Sequence, residues 1–163
     1  MMKYISTRGN AQPIIAEEAI LRGLAPDGGL YVPQSFPALS SRAALKELSY
    51  SALCAEVLSP FFSLISKAQL EEAAQKAYAR FATVPPVKLV KRESFYVLEL
   101  FYGPTLAFKD MALCLLPHLM TYAKQHLSSF SKHLLLTATS GDTGKAAMEG
   151  FADVEGFEVI VFY

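Results

Sequence analysis

The run HLLLTATSGDTGKAAMEGFADVEGFEVIVFY, residues 133–163, decides the fold class. His133–Ala138 is a strand-type run of Leu and Thr that reads as buried. Gly141–Phe151 has helical texture, and Phe157–Tyr163 is a second apolar strand. Strand, glycine-containing turn, helix and strand within about 30 residues make a βαβ unit. Parallel strands need a crossover connection, and the crossover helix lands on a face of the sheet. The expected class is therefore α/β, with a parallel sheet covered by helices.

Working back from that unit, Val87–Val90 and Phe95–Leu100 read as short strands and Gly103-Pro104 as a turn. A strongly apolar helix is expected over about 108–126, buried because it is apolar nearly all round. Pro117 should kink it or split it in two. Pro85-Pro86 marks a break. Residues 1–85 are expected to be a small mixed α+β N-terminal domain, and residues 86–163 the first part of a parallel-sheet domain.

Within the N-terminal part, Lys3–Thr7 is a candidate strand, and Pro13 opens a helical run to Leu21 that Gly23 closes. Asp27-Gly28-Gly29 is a turn leading into Leu30-Tyr31-Val32. Helical patterns follow at about 41–48, 50–58 and 67–81, the last opened by a capping box of Ser66 and Gln69. A parallel sheet of two or three strands with open edges is an unfinished domain. The chain therefore reads as the front part of a larger, here truncated, protein, with edges that favour self-association.

Composition narrows the function classes. Fifteen Lys and Arg balance fifteen Asp and Glu, so no basic excess points to nucleic acid or an anionic membrane. Apolar residues make up 52% and the mean hydropathy is +0.27, which suits a packed core. Cys54 and Cys114 are too far apart for a metal site or a disulfide framework. The opening MMKYISTRGNAQ lacks the apolar core of a secretory signal, and the longest apolar run, Met111–Met120, is about half a bilayer span. The expected location is cytoplasmic, with no membrane and no nucleic-acid partner.

Two segments could carry chemistry. Thr139-Ser140-Gly141-Asp142-Thr143-Gly144 leaves a strand and opens a helix. Helix N-termini present unpaired N–H groups and partial positive charge, a setting for phosphate or carboxylate. The competing reading is a Ser/Thr helix cap with no ligand. Neither a nucleotide P-loop nor a dinucleotide glycine pattern fits these residues. The second segment is ELFYGPTLAFKD, residues 99–110. Lys109 sits at the start of an apolar helix, where poor solvation and the helix dipole favour the neutral amine that Schiff-base chemistry needs, and Asp110 opposes them. The competing reading is an ordinary lysine that reaches solvent or pairs with Asp110.

Taken together and in order, residues 99–110 and 136–144 resemble the lysine segment and anion-binding loop of threonine synthases. Lys3–Gly9 and Ala19–Pro33 resemble the opening of the threonine synthases that carry an extra N-terminal domain. The resemblance implies a pyridoxal 5'-phosphate enzyme of the tryptophan-synthase-β-like fold. It implies that Lys109 holds the cofactor as a Schiff base and acts as the catalytic residue. It implies that Thr139, Ser140, Gly141, Thr143 and Gly144 face the substrate carboxylate, with Asp142 nearest the cofactor's 3′-oxygen. The implied reaction converts O-phospho-L-homoserine and water to L-threonine and phosphate. Tyr102 stands where His is usual, and Met111 where an aromatic is common. The family's glycine-rich cofactor-phosphate loop lies downstream of residue 163, so this chain alone is expected neither to bind cofactor tightly nor to turn over. Two alternatives stay open: a related pyridoxal-phosphate lyase, and a non-catalytic remnant that binds an anion or a partner.

Overall fold

The computed structural model describes residues 1–39, 41–129, 131–139 and 141–163. The elements in chain order are β1 (Tyr4–Ser6), α1 (Ala16–Arg22), β2 (Tyr31–Pro33), α2 (Arg42–Lys46), α3 (Tyr50–Leu58), α4 (Lys67–Tyr78), β3 (Lys88–Arg92) and β4 (Phe95–Glu99). They continue with α5 (Asp110–Leu113), α6 (Leu116–His126), β5 (His133–Ala138), α7 (Asp142–Gly150) and β6 (Phe157–Phe162). The chain forms two compact units. One is Met1–Ala74 with Leu119–Ser129, and the other is Gln75–His118 with Phe130–Tyr163.

In the first unit β1 pairs antiparallel with β2. The helix expected from Pro13 begins later, at Ala16, because Ile14 is held in a two-way backbone bridge with Tyr4, at 2.8 and 3.0 Å. Extended backbone through Ile15 delays the first helical turn. Gly23 ends α1 at φ 71°, a left-handed value that glycine adopts without a Cβ penalty. The Ser66–Gln69 capping box forms as expected: the Ser66 N–H donates to Gln69 Oε1 at 2.9 Å, and the Gln69 N–H to Ser66 Oγ at 3.3 Å. The interior is built from Ile14, Ile15, Ala55, Leu70, Ala73 and Ala74, with Leu119, Met120 and Ala123 of α6.

Two carboxylates organise this unit. Glu17 is fully buried, and its Oε1 accepts the backbone N–H groups of Ser63, Leu64 and Ile65 at 2.8, 2.6 and 3.1 Å. One side-chain oxygen thereby satisfies three successive donors, the Ile65 N–H in a buried bond and the other two in part-buried ones. Asp27 ties the β1 and β2 ends together. Its Oδ1 accepts from Ser6 Oγ at 2.7 Å and the Gly29 N–H at 2.9 Å, and its Oδ2 from the Asn10 N–H at 3.0 Å. These bonds, the Ser6 hydroxyl first, hold the Asp27 carboxyl below its ordinary range.

In the second unit β3 and β4 form an antiparallel hairpin, and β5 pairs in parallel with β6 from His133↔Phe157 to Ala138↔Phe162. The β5–α7–β6 crossover is the βαβ unit read from the sequence. Its sheet has two strands, and burial alternates along both. The run expected to be buried on both sides is half-buried. α7 packs on one face, while Leu134, Leu136, Ile160 and Phe162 on the other are exposed. The helix expected over 108–126 is split. α5 stops at Leu113 and α6 restarts at Leu116, which puts Pro117 in a first turn. There its missing N–H leaves no gap in the helical ladder, and its ring has no preceding turn to strike. A small core joins Ala77, Phe81 and Cys114, with Tyr78, Tyr102, Met111 and Leu115 packed around it.

Two outcomes follow from the carboxylates. Glu17→Leu strands three N–H donors, one of them buried and two part-buried, and should cost about 2–4 kcal/mol in urea unfolding, whereas Glu17→Gln, which keeps an acceptor oxygen, should cost clearly less. Equal losses for the two would contradict the bonding role. Asp27 has a lowered folded-state pKa, so its contribution is complete above the unfolded carboxylate value and is lost as pH falls through the folded one. The gap in melting temperature between parent and Asp27→Asn should therefore shrink as pH drops below about 4. A constant gap from neutral to acid pH would contradict it.

Candidate active site

Lys109 occupies the N-cap of α5, in helical backbone at φ −64°. It is reached through the loop Gly103–Phe108, which closes on itself through Leu106 N–H to Gly103 O at 3.1 Å and Asp110 N–H to Ala107 O at 3.1 Å. The neighbouring Asp110 is fully buried. Its Oδ2 accepts the Thr105 N–H at 2.8 Å, and its Oδ1 the Thr105 hydroxyl at 2.6 Å. The carboxylate therefore turns into the loop and away from the lysine. Among the described residues the Lys109 amine has no hydrogen-bond or ion-pair partner. It lies over the Phe108 ring, 4.5 Å from the centroid. A pairing with Asp110, the ordinary explanation for such a lysine, does not occur.

Other contacts fix the segment's ends. The Tyr78 hydroxyl donates to the Met111 carbonyl at 2.9 Å, anchoring the first turn of α5. Tyr102 hydrogen-bonds Glu99, and Lys88 Nζ lies 4.8 Å from its ring centroid. The bond to Glu99 raises the Tyr102 hydroxyl above its ordinary range. Its carbonyl accepts the Ala82 N–H at 2.9 Å.

The second segment opens α7. Gly141 is the N-cap, and the backbone N–H groups of Asp142, Thr143 and Gly144 occupy the first turn, where no intrahelical acceptor exists. The Gly141 N–H points to Thr139 Oγ1 at 3.4 Å, and the Lys145 N–H closes on Gly141 O at 3.2 Å. Gly141 and Asp142 are exposed, and Thr139 and Thr143 half-buried. Ser140 lies outside the described residues. Gly144 is buried and has a packing role: a Cβ there would meet Val161 Cγ1 at 2.6 Å and Thr139 Cγ2 at 2.9 Å. Gly150, at the far end of α7, plays the same part toward α5, since a Cβ there would fall 2.1 Å from the Leu113 carbonyl oxygen. Glycines at both ends let α7 sit against β6 and α5.

The lysine and the loop thus belong to one compact unit. α5 packs on α7, and Lys145 Nζ reaches the Thr105 carbonyl at 3.5 Å. Among the described residues no hydrogen bond or ion pair joins the Lys109 amine to Thr139, Gly141, Asp142, Thr143 or Gly144. Thr105 is a site residue that the sequence did not disclose: a Thr five positions before an Asp matches no capping pattern. The cysteines offer no nucleophile, because burial pushes both the Cys54 and Cys114 thiols up to about 11. No group of three or more His, Cys, Asp or Glu among the described residues could hold a metal ion. Nor is any described helix long and apolar enough to cross a membrane.

Residues 3–78 match the family model described as threonine synthase N terminus. Over 99% of its length the chain is 39% identical to threonine synthase from Pseudomonas aeruginosa, covering 35% of that protein. Over almost its whole length the chain is similar to the N-terminal third of threonine synthases. It is also 37% identical to human threonine synthase-like 2, over 98% of the chain and 34% of the relative. Among solved structures, pyridoxal-phosphate-bound threonine synthase from Brucella melitensis superposes with a TM-score of 0.88 at 38% identity, covering 99% of this chain and 35% of that one. Threonine synthase from yeast gives 0.85 at 32% identity, covering 98% and 35%. The chain spans about a third of the length of the relatives it matches.

The residues present fit the cofactor that the resemblance implies. A lysine amine without an anionic partner among the described residues suits an aldehyde, and an open helix N-terminus suits a carboxylate or phosphate. Gly144→Ala should push α7 off β6 and cost about 1–3 kcal/mol in urea unfolding. In a Val161→Ala background, where the two Val161 methyls are gone and only Thr139 Cγ2 stays close, the same substitution should cost less. Identical penalties in both backgrounds would exclude the Gly144–Val161 contact as the cause.

Proposed function

We propose that this chain carries the Schiff-base lysine and the substrate-carboxylate loop of an enzyme that converts O-phospho-L-homoserine and water to L-threonine and phosphate. One observation carries the reading. Lys109 stands at the head of α5 with its amine unpaired among the described residues, because Thr105 has taken the adjacent Asp110, and the same compact unit holds the open N-terminus of α7.

Bound pyridoxal 5'-phosphate would supply a ring that stores the negative charge left when the substrate α-proton departs. Lys109 Nζ would hold the cofactor's aldehyde as a Schiff base and, once freed, carry protons at the substrate α- and β-carbons. The first-turn N–H groups of α7, together with Thr139 and Ser140, would bind the substrate carboxylate. That grip sets the α-carbon–hydrogen bond in the orientation that favours its removal. Asp142, exposed at the first position of α7, would lie nearest the cofactor's 3′-oxygen. Phosphate would leave from the γ-carbon and water add at the β-carbon, which makes the reaction a carbon–oxygen lyase step on a phosphate ester. We place the division between an N-terminal domain of residues 1–85 and a catalytic domain from residue 86, and the location in the cytoplasm.

A second reading is favoured by one comparison. Identity to human threonine synthase-like 2 is within two points of that to the Pseudomonas synthase, 37% against 39%, so a related lyase on the same scaffold has support. Products separate the two. With the protein expressed from its complete reading frame and supplied with pyridoxal phosphate, threonine and phosphate should appear in equal amounts from O-phospho-L-homoserine. Lys109→Ala should lower kcat by about a thousandfold. Phosphate release without threonine would favour the related lyase, and no phosphate release would contradict both.

A further inference from the structure

We propose that Thr105 and Asp110 are positioning residues for Lys109, acting on the lysine without touching the reacting atoms. The inference deepens the function proposed above and rests on it. Asp110 directly follows the lysine, and its side chain is fully buried. A buried carboxyl group is costly unless hydrogen bonds compensate it. Here both oxygens are bonded by a single residue: Thr105 gives its N–H to Oδ2 at 2.8 Å and its hydroxyl to Oδ1 at 2.6 Å. The pair clamps shut the six-residue loop that ends on the lysine and its neighbour.

Two independent features show that the loop is shaped to accept the clamp. Gly103 faces Asp110 so closely that a Cβ would lie 2.4 Å from Oδ2, so only glycine leaves room for the carboxylate. Leu106 sits at φ 62°, in the left-handed region that residues with a branched side chain seldom enter. A strained backbone persists only where its surroundings over-determine it. Here the strained residue lies between the two members of the clamp.

The arrangement does two things for Lys109. It fixes the lysine's backbone at the N-cap of α5, and the Tyr78 hydroxyl on the Met111 carbonyl holds that helix from its other side. It also withholds the nearest carboxylate from the amine, which is left over the Phe108 ring at 4.5 Å. If Thr105 lost its hydroxyl, half the clamp would go, and Asp110 would gain freedom to turn toward the ammonium.

The test uses the protein expressed from its complete reading frame, with pyridoxal phosphate as the probe. The lysine amine adds to the aldehyde with loss of water, borohydride delivers hydride to the C=N bond, and peptide mass locates the label. Thr105→Val should slow labelling of Lys109 by about ten- to hundredfold relative to the other lysines. Thr105→Ser should restore most of the rate, because it returns the hydroxyl. Glu17→Gln, which weakens the first unit, should leave the rate unchanged. If circular dichroism shows that the Val variant fails to fold, Asp110→Asn carries the test and should slow labelling too. Labelling at the parent rate in a folded Thr105→Val or Asp110→Asn variant overturns the inference. So does a loss no greater than that of Glu17→Gln. A parent that shows no preference for Lys109 instead overturns the Schiff-base reading, which distinguishes the two failures.

Discussion

The site depends on how one buried carboxylate is satisfied. Asp110 has no access to solvent, and Thr105 supplies both of its hydrogen bonds. A carboxylate in that position would otherwise seek the nearest cation, and the nearest by sequence is Lys109. Because Thr105 is five residues upstream, satisfying the carboxylate also folds the loop, selects glycine at 103 and drives Leu106 to positive φ. The lysine emerges at a helix start with its amine unspent. One local bonding problem thereby sets loop shape, lysine placement and the chemistry open to it.

The first unit solves similar problems by the same means. Glu17 gathers three successive backbone N–H groups of a connecting segment, and Asp27 gathers the Ser6 hydroxyl with the N–H groups of Asn10 and Gly29. In each case an acidic side chain stands in for secondary structure where the chain is irregular, since buried N–H groups need an acceptor of some kind. In the second unit, glycines at 144 and 150 do the complementary work. They bring helix, strand and helix backbones to distances that no side chain would permit.

What was legible in the sequence followed patterns of short range. The βαβ unit, the capping box at Ser66–Gln69 and the glycine end of α1 each rest on residues a few positions apart, and each appears as read. The late start of α1 did not show, because the bridge from Ile14 to Tyr4 is a tertiary pairing with no local signature. The exact break between α5 and α6 was open for a related reason: Pro117 forbids a continuous helix but does not say on which side the chain restarts. Lys109 and the 139–144 loop were legible as candidates, and the family comparisons supply the company they keep. Asp110 was legible only as a charge beside the lysine. Its role came from Thr105, whose side chain meets it across a loop that no periodicity announces.

The central claim is that Lys109 and the first turn of α7 are two halves of one site. A crystal structure of the protein from its complete reading frame, grown with pyridoxal phosphate and a non-hydrolysable phosphonate analogue of O-phospho-L-homoserine, tests it most directly. The cofactor's aldehyde carbon should lie within reach of Lys109 Nζ, and the analogue's carboxylate on the N–H groups of residues 142–144. Cofactor held by a different lysine, or a carboxylate bound away from that helix start, would contradict it.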